Sequence, residues 1–187
     1  MNNINDAITI TFPDGKTKEY DKGITGYEIA ESIAKSLAKI AIAVSVDNIQ
    51  KDLSDSINSD SSISIITLEN DEGLEIMRHT LTAQVLAKAI KNLYPLAKLA
   101  IGPTIDNGFY YDVSFEKQIS SEDLPKIEKE MNKIIKNGSA INKTIHSKED
   151  AIKLFNERNE TYKVDIINKS EQDDNFQIYT QGESGFI

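Results

Sequence analysis

Two histidines and no cysteine limit the reactive side chains of this chain of 187 residues. One of them, His79, closes the stretch Leu74-Glu75-Ile76-Met77-Arg78-His79 at the start of an apolar helical pattern. An imidazole is the side chain best suited to move a proton near neutral pH, so His79 is the first candidate for acid–base work. The plain alternative is a histidine packed at the edge of a groove. After the helix comes Ala100-Ile101-Gly102-Pro103-Thr104-Ile105-Asp106-Asn107-Gly108-Phe109-Tyr110-Tyr111-Asp112, where Gly-Pro and Asn-Gly signal tight backbone and two tyrosines follow. With two distant histidines and no thiol, a zinc tetrahedron is not expected.

Charge adds a second candidate. The net charge is −9, which argues against a protein that coats nucleic acid generally. Yet between Arg78 and Lys98 there are four basic residues, Arg78, Lys88, Lys91 and Lys98, and no acidic one. Such a strip can guide a single phosphate backbone on an otherwise acidic body; a solvated helix face that carries lysines is the plain alternative.

The elements that must position these residues fall into two parts. The first is β-rich. Ile8–Phe12 alternates, Pro13-Asp14-Gly15 turns, and Thr17–Tyr20 returns. Thr25-Gly26-Tyr27-Glu28 is a capping box opening a helix to about Leu37. Ala41–Val46 and Ser62–Leu68 follow as strands around an Asp47-Asn48 turn. Hairpin, helix, then strands is the order of a ubiquitin-like β-grasp. Glu69–Gly73 reads as a polar hinge, placing the domain boundary at 69/70.

Beyond the hinge, a helix is expected from Leu74 to Leu93, ended by Pro95. Strands at Leu99–Ile101 and Phe109–Val113 would be joined by a Gly102–Gly108 turn. A helix from Ser121 to Asn137 would carry Leu124, Ile127, Met131 and Ile134 inward, and a third would start at Ser147. Tyr162–Ile167 and Gln177–Thr180 read as strands, and Gln181–Ile187 as a turn leading into another. The fold class is therefore α+β: a β-grasp domain over 1–69 and an α+β domain over 70–187. No run approaches the roughly 20 apolar residues of a membrane span. Met1–Asp6 shows no secretory signal, and a cytoplasmic protein is expected.

The Leu74–Asp112 stretch and Glu160-Thr161-Tyr162-Lys163-Val164 closely resemble the threonyl-tRNA synthetase family. The first part resembles that family's TGS domain, the second its editing domain, which hydrolyses serine wrongly esterified to threonine tRNA. The resemblance implies a pocket built on a His-x-x-x-His pair, whose imidazoles activate water against the ester carbonyl. His79 matches the first histidine when anchored on Glu75–Arg78; position 83 is Ala83. Anchored on Ala87–Lys91, Gln84 takes the second place, so this helix carries one extra residue. Residues five apart are rotated by about 140° on an ideal α-helix. A π-bulge would absorb the extra residue, but glutamine is no base. Lys163 matches the pocket lysine, which orients the ester or pairs with phosphate, and Tyr111 matches the pocket tyrosine.

The resemblance further implies a cytosolic homodimeric ligase that joins threonine to tRNA(Thr) with ATP. Its ATP and zinc belong to an aminoacylation core, with no cofactor expected in this stretch; an Asp, a Cys and a His of the editing pocket would follow Ile187. The alternative is a tRNA-binding module without hydrolytic activity, since the histidine pair is broken. A free-standing regulatory β-grasp protein would leave the Leu74–Asp112 motif unexplained.

Overall fold

The computed structural model describes residues 7–182 and 186. The reading of Met1–Asp6 and most of the expected terminal strand at 183–187 lie outside the described residues. The chain forms two compact units, the first ending at Met77 and the second starting at Arg78.

The first unit is the β-grasp. Strands β1 (Ala7–Thr11) and β2 (Thr17–Asp21) form the expected hairpin. A short β3 (Ile24–Thr25) leads into α1 (Gly26–Ile33), whose Thr25–Glu28 capping box is complete in both directions. The helix stops earlier than expected. Ala34 takes an extended conformation, φ −161° and ψ 136°, and α2 (Lys35–Ile40) starts afresh. Strand β4 (Ala41–Val46) turns through Asp47 and Asn48, at φ 50° and 65°, into β5 (Ile49–Lys51). These are the left-handed values that a tight two-residue hairpin needs and that Asp and Asn tolerate. After β6 (Ser56–Ile57), strand β7 (Ser61–Thr67) enters between β1, to which it is parallel, and β4, to which it is antiparallel. The sheet order is β2-β1-β7-β4-β5. Ile8, Ile10, Ile29, Val44, Val46, Ile57 and Ile63 form the core beneath α1.

The expected hinge is mostly helical. Helix α3 (Asp71–Thr80) starts inside it, and Asn70 Oδ1 accepts from the Thr67 N–H at 2.8 Å. Gly73 is buried here, and a Cβ at this position would overlap the Thr67 carbonyl.

In the second unit α3 runs into a π-helical segment, Leu81–Leu86, and then α4 (Ala87–Leu93). The hairpin that follows is longer than expected. Strands β8 (Lys98–Leu99) and β11 (Val113–Ser114) pair at its base, β9 (Thr104–Ile105) and β10 (Gly108–Phe109) at its tip. The turn is thus Asp106–Asn107, not Gly102–Gly108. Between the two pairs, Ala100 N–H donates to the Asp112 carbonyl and Asp112 N–H to that of Ile101, at 3.0 and 2.9 Å. Helix α5 (Leu124–Asn137) follows a capping box at Ser120 and ends on left-handed Gly138. Its Ile127 and Ile134 pack on Val85 and Ala89, but Leu124 is exposed, because the chain enters there through a 3-10 turn.

Strand β12 (Ile141–His146), absent from the sequence reading, pairs antiparallel with β13 (Phe176–Gln181). Between them run α6 (Lys148–Glu157) and α7 (Thr161–Lys169). The strand expected at Tyr162–Ile167 is therefore a helix. Its Val164 and Ile167, three apart, pack with Ala151, Phe155 and Ile178, whereas Tyr162 and Ile166 point outward.

The close approach at Gly73 gives a direct test. Gly73→Ala would gain helix propensity of about 1 kcal/mol if space allowed. Overlap with a backbone oxygen makes the change destabilising instead, by about 1–3 kcal/mol. Calorimetry should show a lowered melting temperature; an unchanged or raised one would contradict the packing.

Candidate functional site

The long helix is π-helical over Leu81–Leu86, between the positions of His79 and Ala87. Across Leu81–Leu86 the backbone winds more widely, and the Ala87 N–H donates to the Thr82 carbonyl five residues back. Residues five apart in such a segment are one turn apart, as residues four apart are in an α-helix. The Thr82 hydroxyl donates to the Arg78 carbonyl at 2.7 Å, and the Thr82 side chain is fully buried.

This segment packs on the hairpin at Gly102. A Cβ there would lie 2.6 Å from Thr82 Cγ2 and would enter the ring of Tyr111. Gly102 is therefore a contact point between helix and hairpin, and its missing side chain lets the tyrosine lie against the backbone. Tyr111 also packs against the cluster of Ala87, Ile90, Ala97 and Leu99. Tyr110, its neighbour on the other face of the hairpin, is exposed.

Tyr111 and Lys163 belong to one electrostatic cluster, and Glu160 is its centre. Burial first, and the Glu160 charge second, push the Tyr111 phenol up to about 12. Burial lowers the Lys163 ammonium from its ordinary value; Glu160 opposes that shift, while Lys91 and Arg158 add to it. The Lys163 Nζ lies 5.1 Å from the centre of the Phe155 ring, within cation–π range. Glu160 itself, 12% exposed at the side chain, pairs with Lys91 at 3.2 Å. Lys91 Nζ also donates to the Ala97 carbonyl at 3.1 Å.

Glu160 is the residue that sequence reasoning passed over. It precedes the first turn of α7, where the helix dipole favours a carboxylate, and it could be found only by recognising α7 as a helix. The Glu160–Lys163 spacing of three then puts both side chains on one helical face.

The other candidates are placed differently. His79 is exposed, near the end of α3. Gln84 is buried inside the π-segment. In the basic strip, Arg78 and Lys88 are half-buried and Lys98 is exposed. Lys91 is the member whose charge is already engaged within the protein, by Glu160 and the Ala97 carbonyl. Among the described residues no group of three or more His, Cys, Asp or Glu is disposed to hold a metal. No helix among them is long and apolar enough to cross a membrane.

The cluster predicts a pH dependence. The Tyr111 phenol is raised from 10.0 to about 12 in the folded protein, so its contribution to stability is complete below pH 10. That contribution is lost as the pH rises through 12. Replacing Glu160→Gln removes the charge opposing ionisation. In carbon-13 NMR of tyrosine-labelled protein, the Tyr111 midpoint should move down from about 12 towards 10. A midpoint unmoved by the substitution would remove Glu160 from the site.

Residues 8–67 match the TGS domain. The chain is 49% identical over 176 residues to the threonine–tRNA ligase of Francisella philomiragia, covering 94% of the chain and 28% of that relative. The threonine–tRNA ligase of Acetivibrio thermocellus is 47% identical over 176 residues, again 94% of the chain and 28% of the relative. That of Halalkalibacterium halodurans is 46% identical over 180 residues, 95% of the chain and 28% of the relative. The chain thus spans 28% of the length of these curated relatives. A TGS domain at residues 8–67, together with 46–49% identity over 94–95% of the chain, makes this chain a homologue of the N-terminal region of threonine–tRNA ligases.

Proposed function

We propose that the second unit binds the aminoacylated 3′ end of a tRNA and hydrolyses a seryl ester there. The observation that carries this reading is identity of 49% to a threonine–tRNA ligase extending over 94% of the chain. The Tyr111–Glu160–Lys163 cluster supports it by supplying donors in a partly buried setting. On this reading His79, the exposed imidazole, takes a proton from water. The water oxygen adds to the ester carbonyl carbon, the bond to the ribose oxygen breaks, and that oxygen receives the proton. Lys163 orients the ester or the ribose. Tyr111 keeps its proton throughout the physiological range and donates a hydrogen bond.

Such a step answers a limit of binding physics. One methyl separates threonine from serine, and a pocket gains only about 1–3 kcal/mol from a group of that size. A second site that admits serine and excludes threonine multiplies the selection.

The activity of the whole protein is proposed on the same ground: a cytoplasmic, homodimeric ligase that joins threonine to tRNA(Thr) with ATP. ATP and zinc would serve its aminoacylation core, and no residue described here is assigned to either. A second reading, a tRNA-binding module without hydrolysis, is favoured by one residue. Gln84 occupies the place of the second histidine and cannot take up a proton.

Release of serine from seryl-tRNA(Thr) separates the two. The protein should accelerate release over the spontaneous rate and spare threonyl-tRNA(Thr). Loss of a general base costs about 10²–10⁴-fold, so His79→Ala should fall by that factor. A variant as fast as the parent would show that the base lies elsewhere. Binding of the tRNA without acceleration by the parent protein would establish the second reading.

A further inference from the structure

Lys163 stands among more positive charge than negative. It is half-buried, with Nζ 5.1 Å from the centre of the Phe155 ring. The charged side chains that act on it are Glu160 just before α7, Lys91 from α4 and Arg158 at the end of α6. Two of these three are cations, so by count alone the amine would be driven towards its neutral form.

Placement reverses the count. Among the three, Glu160 acts most strongly, and it favours the ammonium. Its carboxylate is 12% exposed, so little water screens it, and it is pinned at 3.2 Å by Lys91 Nζ. Lys91 Nζ is fixed in turn by the Ala97 carbonyl at 3.1 Å. The Glu160 carbonyl accepts from the N–H groups of Lys163 and Val164, at 3.1 and 3.2 Å. That first turn of α7 puts residues 160 and 163 on one face. Glu160 holds the capping position of α7, yet its side chain makes no capping bond. A carboxylate placed only to start the helix would turn back to a backbone N–H.

We infer that Glu160 is a positioning residue for the proposed reaction: pinned by Lys91, its carboxylate keeps Lys163 a cation, the form that can orient the ester. This rests on the ester reading above. Glu160 exchanges no proton and acts through Lys163. Burial and the two cations lower the Lys163 ammonium from its ordinary value, and Glu160 opposes them. Lys163 is therefore charged at low pH and loses its charge as the pH rises. Removing Glu160 brings that loss to lower pH, and removing the exposed Arg158 carries it to higher pH.

These opposite signs separate the role from structural support. Carbon-13 NMR of lysine-labelled protein reads the Lys163 midpoint, its signal identified by disappearance in Lys163→Arg. The midpoint should move down in Glu160→Gln and up in Arg158→Gln, and Glu160→Asp should stay nearest the parent. Release of serine from seryl-tRNA(Thr) is followed in parallel from about pH 6 to about pH 9, well below the Tyr111 midpoint of about 12. Over that range the rate of Glu160→Gln relative to the parent should fall at least about twofold, as the charged form is depleted past its midpoint. If Glu160→Gln does not fold, Lys91→Met/Glu160→Gln takes its place, since neither charge is then left unpaired. Its midpoint should still lie below the parent's, because Glu160 acts on Lys163 more strongly than Lys91 does.

A Lys163 midpoint unmoved or raised by the loss of Glu160 would overturn the inference. So would Glu160→Gln and Arg158→Gln moving it in the same direction, the mark of a general disturbance. A rate loss in Glu160→Gln that is equal at every pH would make Glu160 a structural support only. A parent that hydrolyses no ester, with midpoints that move in the two directions given, sinks the hydrolytic reading alone and keeps Glu160 as the residue that holds Lys163 charged.

Discussion

A carboxylate held largely out of water by three separate pieces of chain is the constraint on which the second unit depends. Glu160 is 12% exposed at the side chain and pairs at 3.2 Å with Lys91, which comes from α4. It also acts on Tyr111 from the hairpin and on Lys163 from its own helix. An isolated charge in such a place is costly, and it persists only if cations and dipoles converge on it. Lys91 therefore cannot be exchanged for a neutral residue without exposing that cost. Its bond to the Ala97 carbonyl fixes the entry to the hairpin as well. The chemistry proposed for Tyr111 and Lys163 follows from the same arrangement: burial keeps the phenol protonated and disfavours the ammonium.

The π-segment is the second device, and it works by spacing. One additional residue in an α-helix would rotate every later side chain by about 100° relative to the earlier ones. Winding Leu81–Leu86 more widely confines the disturbance to about a turn. Ala87, Ala89 and Ile90 then meet the hairpin and α5 in regular α-helical register. The Thr82 hydroxyl bonds back to the Arg78 carbonyl, the kind of local side-chain pairing that supports an irregular turn. Gly102 completes the fit by presenting backbone where any side chain would collide.

Much of the fold was legible in particular residues. The capping box at Thr25–Glu28, the Asp47-Asn48 turn and Gly138 are local signals whose physics is complete within a few residues, and each does what its chemistry requires. Tyr162–Ile167 is a helix and not the expected strand because Val164 and Ile167 pack with Phe155 and Ile178, contacts that lie outside the segment itself. Strand β12 left no pattern because it pairs only with β13 and buries little. The site was half legible. Tyr111 and Lys163 stood out through a resemblance. Glu160, a charged residue among thirty acidic ones, needed the third dimension to be seen.

A double-mutant cycle on Lys91 and Glu160 tests the central claim most directly. Lys91→Met, Glu160→Gln and the double variant would be compared by denaturant unfolding. If the pair holds the second unit together, each single change leaves an uncompensated buried charge, and the double change costs less than the sum, with a coupling of about 1–3 kcal/mol. A coupling near zero would mean that the carboxylate and the ammonium merely lie near each other, and that something else organises the cluster around Tyr111.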